Sequence, residues 1–423
     1  MSLPVEILII GIFIVLFFMN VPIAFVLGIV GMSGLMLTQD LPLPTYAQLV
    51  TSGIDSFPLI AIPLFIFAGI IMSESGMSAD LVDFSKIFLG RFRGGLLHVA
   101  TGTAVLFGAI TGSATADAAA VSTIMSGPLE KEGYNREFST AIVATAGCLG
   151  AVIPPSINLI VVGSIAGISI WKLFMGSIIP GLLTGLGLIV ISYIHAVRWK
   201  YKTSEVPTFK QSVQITGKAF FPLMLPVIIL GGIYSGVFTP TEAAAVAATY
   251  AVLVAFIKSK MQFSKFFTCL VDTAKISSGP MLMVAMAGLF SYFLVMERIP
   301  ESISKAILSG TLGPIGILFV MNALFFLVGM LMDTLPAMII LVPIFFPIAK
   351  GIGMDPVHFG VMVSFNCSMA MATPPVGVAL FAACSIFKTS ISEVTKPMIL
   401  LTIFVFLMVL VVTYIPWLSL ALI

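Results

Sequence analysis

Long apolar tracts separated by short polar turns dominate the chain. They fall at residues 3–37, 57–72, 95–126, 138–168, 174–196, 219–236, 241–257, 276–296, 314–349, 356–387 and 398–420. A hydrocarbon core about 30 Å thick needs about 20 apolar residues as a helix, so the pattern predicts many membrane spans. Three tracts do not fit one straight span. The first carries Asn20-Val-Pro22 in its middle and reads as two short spans or one broken one. Tracts 95–126 and 314–349 are too long for single helices. Each has polar or Gly residues at its centre, Thr111-Gly112-Ser113-Ala114-Thr115 in one and Gly329 to Thr334 in the other. That pattern predicts re-entrant helical hairpins, whose irregular tips are tolerated at depth only where protein or a wet cavity covers them.

Composition narrows the class. Of 423 residues 59% are hydrophobic and 9% charged, with mean hydropathy +1.16. Ordinary soluble domains are about 25% charged. The chain is therefore not a cytosolic globular enzyme, a disordered segment or a nucleic-acid binder, which needs a concentrated basic face. Cys148, Cys269, Cys367 and Cys384 are scattered, with no C-x-x-C and no pairing with the three histidines. Neither metal or redox chemistry nor a disulfide framework is expected. Met1 to Asp40 lacks a basic n-region, and its apolar run is too long for an h-region. It reads as membrane domain rather than a removable signal peptide.

Charge orients the spans. With 95–126 and 314–349 as hairpins and the other tracts from 57 onward as single crossings, sixteen of the twenty basic residues share one side. They are Lys86, Arg91, Arg93, Lys131, Arg136, Arg198, Lys200, Lys202, Lys210, Lys218, Lys258, Lys260, Lys265, Lys275, Lys388 and Lys396. Lys172, Arg298, Lys305 and Lys350 lie opposite. The bias makes the first side cytoplasmic. Hairpin one enters from the cytoplasm and hairpin two from the opposite face.

The chain also repeats itself. Gly133, Pro154 and Pro155 recur as Gly353, Pro374 and Pro375 at one offset of 220, and tract 57–72 falls on 276–296. Each half reads span, short surface helix (78–93 and 298–312), hairpin, then a helix broken at Pro-Pro. Five crossings separate the hairpin starts, and an odd number inverts the second copy. The expected fold is an all-α polytopic membrane protein with an inverted repeat, two re-entrant hairpins and two broken helices, the signature of secondary transporters. The expected divisions are 1–56, N-terminal scaffold helices; 57–173, first repeat; 174–275, scaffold helices; 276–397, second repeat; and 398–423, a C-terminal helix.

At hairpin tips and Pro-Pro breaks, backbone groups lose their helical partners. Carbonyl ends of half-helices suit Na⁺, and N-terminal ends suit an anionic substrate. Thr111, Ser113, Thr115, Ser156, Thr334 and Thr373 add hydroxyls, oxygen donors that a small hard cation prefers. No Arg or Lys lies at either tip. Asp117 and Asp333 are the intramembrane carboxylates near the tips, functional candidates on that ground. Asp333 either binds a cation or caps the second arm of hairpin two. Asp117 binds a cation or proton, repels the wrong anion, or is a capped or paired group. Asn158 and Asn366 either coordinate or bond backbone. Candidate substrate contacts are Ser113, Thr115, Asp117, Pro154, Ser156, Asn158 and Pro374. Glu242 in Thr239-Pro240-Thr241-Glu242 reads as a helix cap. His98, His195 and His358 read as interfacial. The run Lys200 to Lys218 reads as a cytoplasmic loop drawn to anionic lipid.

Four stretches carry a family resemblance. They are Thr111-Gly-Ser-Ala-Thr-Ala-Asp-Ala-Ala-Ala120, Leu149-Gly-Ala-Val-Ile-Pro-Pro-Ser156, Gly236-Val-Phe-Thr-Pro-Thr-Glu-Ala243 and Ala372-Thr-Pro-Pro-Val-Gly377. They resemble the large membrane (M) subunit of tripartite ATP-independent periplasmic (TRAP) transporters, and the similarity covers essentially the whole chain. The resemblance implies a bacterial inner-membrane, Na⁺-coupled importer of small organic acids, with C4-dicarboxylates, sialic acid and related carboxylates all open. It implies no cofactor beyond Na⁺ as coupling ion. It implies two partners, a small membrane subunit (Q type) and a periplasmic substrate-binding protein (P type), and an unfused form here. By the same resemblance one Na⁺ site takes Gly108, Thr111, Gly150, Ile153 and Pro155. The second takes Gly329, Ala370, Thr373 and Val376, with Asp333 at the adjoining tip. Gly108 and Ala370 stand where Ser and Gly would be expected. An elevator movement of the hairpins and broken helices past a fixed scaffold, with the surface helices as hinged arms, is also implied.

Other readings are a stand-alone Na⁺/anion symporter of similar architecture, an ion channel, and, remotely, an intramembrane hydrolase using Asp117 and Asp333. No Walker A loop is present, so direct ATP use is not expected.

Overall fold

The computed structural model describes residues 3–19, 21–39, 41–203, 207–258 and 261–423. Met1, Asn20, Asp40 and Lys260 lie outside the described residues. Within them the first tract is two helices, α1 (Leu3–Phe18) and α2 (Ile23–Thr38), followed by α3 (Leu43–Ile54), α4 (Ala61–Glu74) and the short α5 (Met77–Leu89). Hairpin one is α6 (Gly95–Thr111) and α7 (Ala114–Lys131). The first broken helix is α8 (Arg136–Gly147) and α9 (Ile157–Ala166). Four long helices come next, α10 (Ile170–Arg198), α11 (Phe209–Tyr234), α12 (Pro240–Ile257) and α13 (Phe263–Met296). The short α14 (Ile299–Leu308) precedes hairpin two, α15 (Pro314–Leu331) and α16 (Thr334–Gly351). The second broken helix is α17 (Pro356–Ala370) and α18 (Val378–Phe387), and α19 (Ile391–Tyr414) and α20 (Trp417–Leu420) close the chain. Eight helical stretches among the described residues are long and apolar enough to cross a bilayer.

Local chemistry sets each interruption. Gly112, at φ +67°, ends α6, and the Ser113 hydroxyl caps α7 by accepting from Ala116 N–H at 3.5 Å. At hairpin two the chain turns through extended Met332, and Asp333 caps α16 by accepting from Leu335 N–H at 3.3 Å. Both Pro-Pro segments lack the N–H groups a helix needs. Both of these bonds are cis. Ser156 restarts α9 by accepting from Leu159 N–H. Thr239 and Glu242 form the expected capping box at α12. Lys210 and Lys218, by contrast, lie inside α11 rather than in a loop, because Thr208 and Gln211 form a capping box there.

The offset of 220 carries α7 onto α16 at both ends, α2 onto α12, and α3 and α4 onto successive parts of α13. The packing repeats with it: α2 lies on α13 as α12 lies on α4. It also carries α10 onto α19. Both pack with the hairpins and broken helices, α10 on α6, α9 and α17, and α19 on α8, α15 and α17. Two layers result: a bundle of α6–α10 and α15–α20, and a scaffold of α2–α4 and α11–α13. This grouping differs from the expected divisions, which left 174–198 with scaffold helices and 398–423 by itself. Uninterrupted apolar helices carry no local mark of the neighbours they pack on.

Small residues bring the scaffold helices close. A Cβ on Gly31 of α2 would lie 2.9 Å from the Phe290 backbone of α13. On the side assigned to the cytoplasm, Lys258–Asp80 (3.4 Å) and Lys265–Glu74 (2.9 Å) fasten the α4–α5 corner to α12 and α13. Partly exposed pairs of this kind contribute about 0–1 kcal/mol each.

Candidate functional site

The two hairpin tips face a shared cavity of about 400 Å³ between bundle and scaffold. Thr111, Ser113 and Thr115 of hairpin one, Asp333 and Thr334 of hairpin two, and Asn158 after the first break supply its polar wall. Ile66, Ile70 and Met72 of α4, Leu81 of α5, and Ile276, Pro280 and Met283 of α13 supply an apolar one. Among the described residues no Lys or Arg lines it. Ser73 and Ser78 at the α4–α5 corner also line it, so the cavity reaches toward the side bearing most basic residues.

At the first junction α6 lies directly on the break. A Cβ on Gly108 would sit 2.7 Å from the Gly150 Cα, and one on Gly112 would sit 2.7 Å from the Pro155 carbonyl oxygen. Gly108 in place of Ser thus permits the contact. Ile157 N–H donates to the Gly112 carbonyl at 3.3 Å. Asp117 is fully buried; one carboxylate oxygen accepts from the Thr111 hydroxyl, and the other has no hydrogen-bond partner among the described residues. That carboxyl group fills the space in front of Gly150, where a Cβ would come within 1.8 Å of Oδ2. Gly108, Thr111, Gly150 and Asp117 are thereby gathered at one point. Ile153 packs its side chain toward Gly181 of α10.

The second junction repeats the arrangement with different side chains. A Cβ on Gly329 would meet the Ala370 Cβ at 2.8 Å and the Cys367 carbonyl oxygen at 2.9 Å. Gly377 N–H donates to the Met330 carbonyl at 3.0 Å. Thr373 is buried, and its hydroxyl has no hydrogen-bond partner among the described residues. Val376 is exposed. Asp333 lines the cavity and is engaged as the cap of α16, one of its two expected roles.

Of the candidate substrate contacts, Ser113, Thr115 and Asn158 reach the cavity wall. Asp117, Pro154, Ser156 and Pro374 do not line it. Ser156 is spent on the break, donating to the Ala151 carbonyl at 2.5 Å while it caps α9. Asn366 bonds Asn322, with Nδ2 donating to Oδ1 at 2.9 Å. His98 and His358 are buried rather than interfacial, each bonded through Nε2 to a backbone carbonyl, of Arg93 and Thr413 respectively. Sequence reasoning passed over Ser368, which receives the Asn158 Nδ2 donor at 2.9 Å. It also passed over Ser73 and Ser78; no motif surrounds any of the three.

Hairpins paired with broken helices, in two inverted copies around one cavity, define a polytopic membrane carrier. The family described as "Tripartite ATP-independent periplasmic transporter, DctM component" matches residues 10–418. The chain belongs to that family, the large permeases of TRAP transporters. It is an inner-membrane transport subunit and not an enzyme. It is 39% identical over 411 residues to the isethionate TRAP transporter permease protein DctMQ of Oleidesulfovibrio alaskensis, covering 96% of this chain and 64% of that one. It is 36% identical to the C4-dicarboxylate TRAP transporter large permease protein DctM of Vibrio cholerae, covering 98% of this chain and 95% of that one. The crystal structure of the Alcanivorax borkumensis YdaH transporter shares the fold, with TM-score 0.67 at 12% identity over 89% of this chain and 88% of that one.

Proposed function

We propose that this permease couples inward Na⁺ movement to uptake of a small organic acid. The observation that carries the reading is a pair of buried oxygens without partners among the described residues, Asp117 Oδ2 and Thr373 Oγ1, one at each hairpin–break junction. A buried polar atom left unbonded costs about 1–3 kcal/mol. A hard monovalent cation at each junction would offset that cost, and both of these unpartnered atoms are oxygens, the donors it prefers. No group of three His, Cys, Asp or Glu gathers among the described residues, which suits Na⁺ better than a transition metal.

The substrate enters the cavity between the tips with its charged end toward Ser113, Thr115 and the capped N-terminus of α7, where the helix dipole favours an anion. Its remainder faces the apolar wall of α4 and α13. Relatives named for isethionate and for C4-dicarboxylates support reading the substrate as a small organic anion. A small membrane subunit and a periplasmic binding protein complete the system. The bundle of hairpins, broken helices, α10 and α19 travels against the scaffold, with α5 and α14 as arms. Gly76 and Gly94, both in the left-handed region at φ +76° and +75°, bound the first arm.

The test is uptake into proteoliposomes carrying both membrane subunits, with the cognate binding protein outside. Uptake should require a Na⁺ gradient. Undiminished uptake with choline in place of Na⁺ refutes the coupling, and uptake without the binding protein favours a stand-alone symporter.

A further inference from the structure

The two junctions belong to different repeats, yet one side chain joins them. Asn158 sits in the first turn of α9, two residues past the capping Ser156, and is buried. Its Oδ1 accepts from the Thr334 hydroxyl at 3.0 Å, at the tip of hairpin two. Its Nδ2 donates to the Ser368 hydroxyl at 2.9 Å, and Ser368 in turn donates to the Ser364 carbonyl within α17 at 2.6 Å. Ser368 lies two residues before Ala370, which Gly329 contacts at the second junction. On its own side, the next residue back, Ile157, donates its N–H to the Gly112 carbonyl of hairpin one. A continuous path therefore runs from the tip of hairpin one through the first break to both walls of the second junction. The offset of 220 places Val378, Ala114 and Cys148 at the positions matching Asn158, Thr334 and Ser368. The link therefore has no counterpart in the other direction.

We infer that Asn158 is a positioning residue that couples the two cation sites, so that filling the first orders the second. The inference rests on the Na⁺ reading above. Its physical basis is that both hydrogen-bonding ends of one amide are committed to the partner repeat. A shift of α9 on cation binding must then move Thr334 and Ser368 or break buried bonds. Coupling between sites typically changes affinity by about 5–150-fold.

The experiment compares the wild type with Asn158→Ala, and with Thr334→Val, which keeps shape and cuts only one arm of the link. Na⁺ dependence of uptake is measured in proteoliposomes with both membrane subunits and the binding protein. Thermal melting without Na⁺ serves as the folding control. The wild type should show a Hill coefficient clearly above one. Both variants should drop toward one, with half-maximal Na⁺ raised at least about fivefold. A merely structural role would lower Vmax or melting temperature and leave the Hill coefficient in place. If either folded variant keeps the wild-type Hill coefficient, or if the wild type itself is non-cooperative, the coupling role is wrong and Na⁺ transport stands. If wild-type uptake ignores Na⁺ altogether, the underlying reading has failed instead.

Discussion

Replacing Thr373 by Val separates a cation ligand from a packing residue by the sign of its effect. The two side chains share a shape, and the Thr373 hydroxyl is buried with no partner among the described residues. Without Na⁺ the substitution removes a desolvated hydroxyl and should be neutral or stabilising by up to about 1 kcal/mol. With Na⁺ it removes one oxygen ligand. A charge-assisted contact of this kind is worth about 1.5–3 kcal/mol, so Na⁺ should bind at least about tenfold more weakly. Saturating one site at a hundred times its Kd stabilises a protein by about 2.7 kcal/mol. Unfolding entropy near 2.1 cal/mol/K per residue, over 423 residues, amounts to about 0.9 kcal/mol/K. The wild type should therefore melt about 3 °C higher for each site that Na⁺ saturates. The variant should equal or exceed the wild type in choline and show a right-shifted, shallower response to Na⁺. The assay is a melting series across Na⁺ concentration at constant ionic strength. A variant less stable than wild type in choline, with an unchanged Na⁺ midpoint, would mean the hydroxyl is structural and the second site is misassigned.

Gly150→Ala should abolish Na⁺-dependent uptake, because a Cβ there collides with the Asp117 carboxyl group. Overpacking of this kind costs about 1–3 kcal/mol, read as lost melting temperature beside transport. Gly31→Leu should prevent stable assembly of α2 on α13, seen as a lower yield of folded permease in size-exclusion chromatography, since the obstacle is the Phe290 backbone. Single cysteines at Lys202 and Leu312, in a background with the four native cysteines replaced, should label from opposite faces of the membrane; labelling from one face would overturn the inverted repeat. Asp80→Ala should shift the melting temperature by less than about 1 °C, because its pair with Lys258 is partly exposed and contributes little.

Much of the fold was legible because its punctuation is local. Pro-Pro, Gly112, Ser113 and Asp333 act through their own backbone and the next turn, so the hairpin tips and broken helices stand out in the sequence. The repeat followed from spacing alone. Side-chain partnership was not legible. That Asp117 turns into the break rather than the cavity depends on which face of α7 meets Gly150. The bonds from Asn158 to Thr334 and Ser368 span 176 and 210 residues, and no short motif encodes such a separation. The membership of α10 and α19 in the hairpin bundle was hidden for a similar reason: it is decided by packing, not by any interruption in the chain.

The mismatch between the halves bears on where the carrier rests. Two identical inverted copies would relate the outward-open and inward-open forms by a two-fold rotation about an axis in the membrane plane, making them equal in energy. Here Asp117 faces Ala337 across the offset, and Asn158 faces Val378, so the bonds these two make have no counterpart in the other copy. A single unmatched hydrogen bond of about 1 kcal/mol already skews two otherwise equal populations about fivefold. The unequal halves thus remove any symmetry that would make the two orientations of such a carrier equally populated.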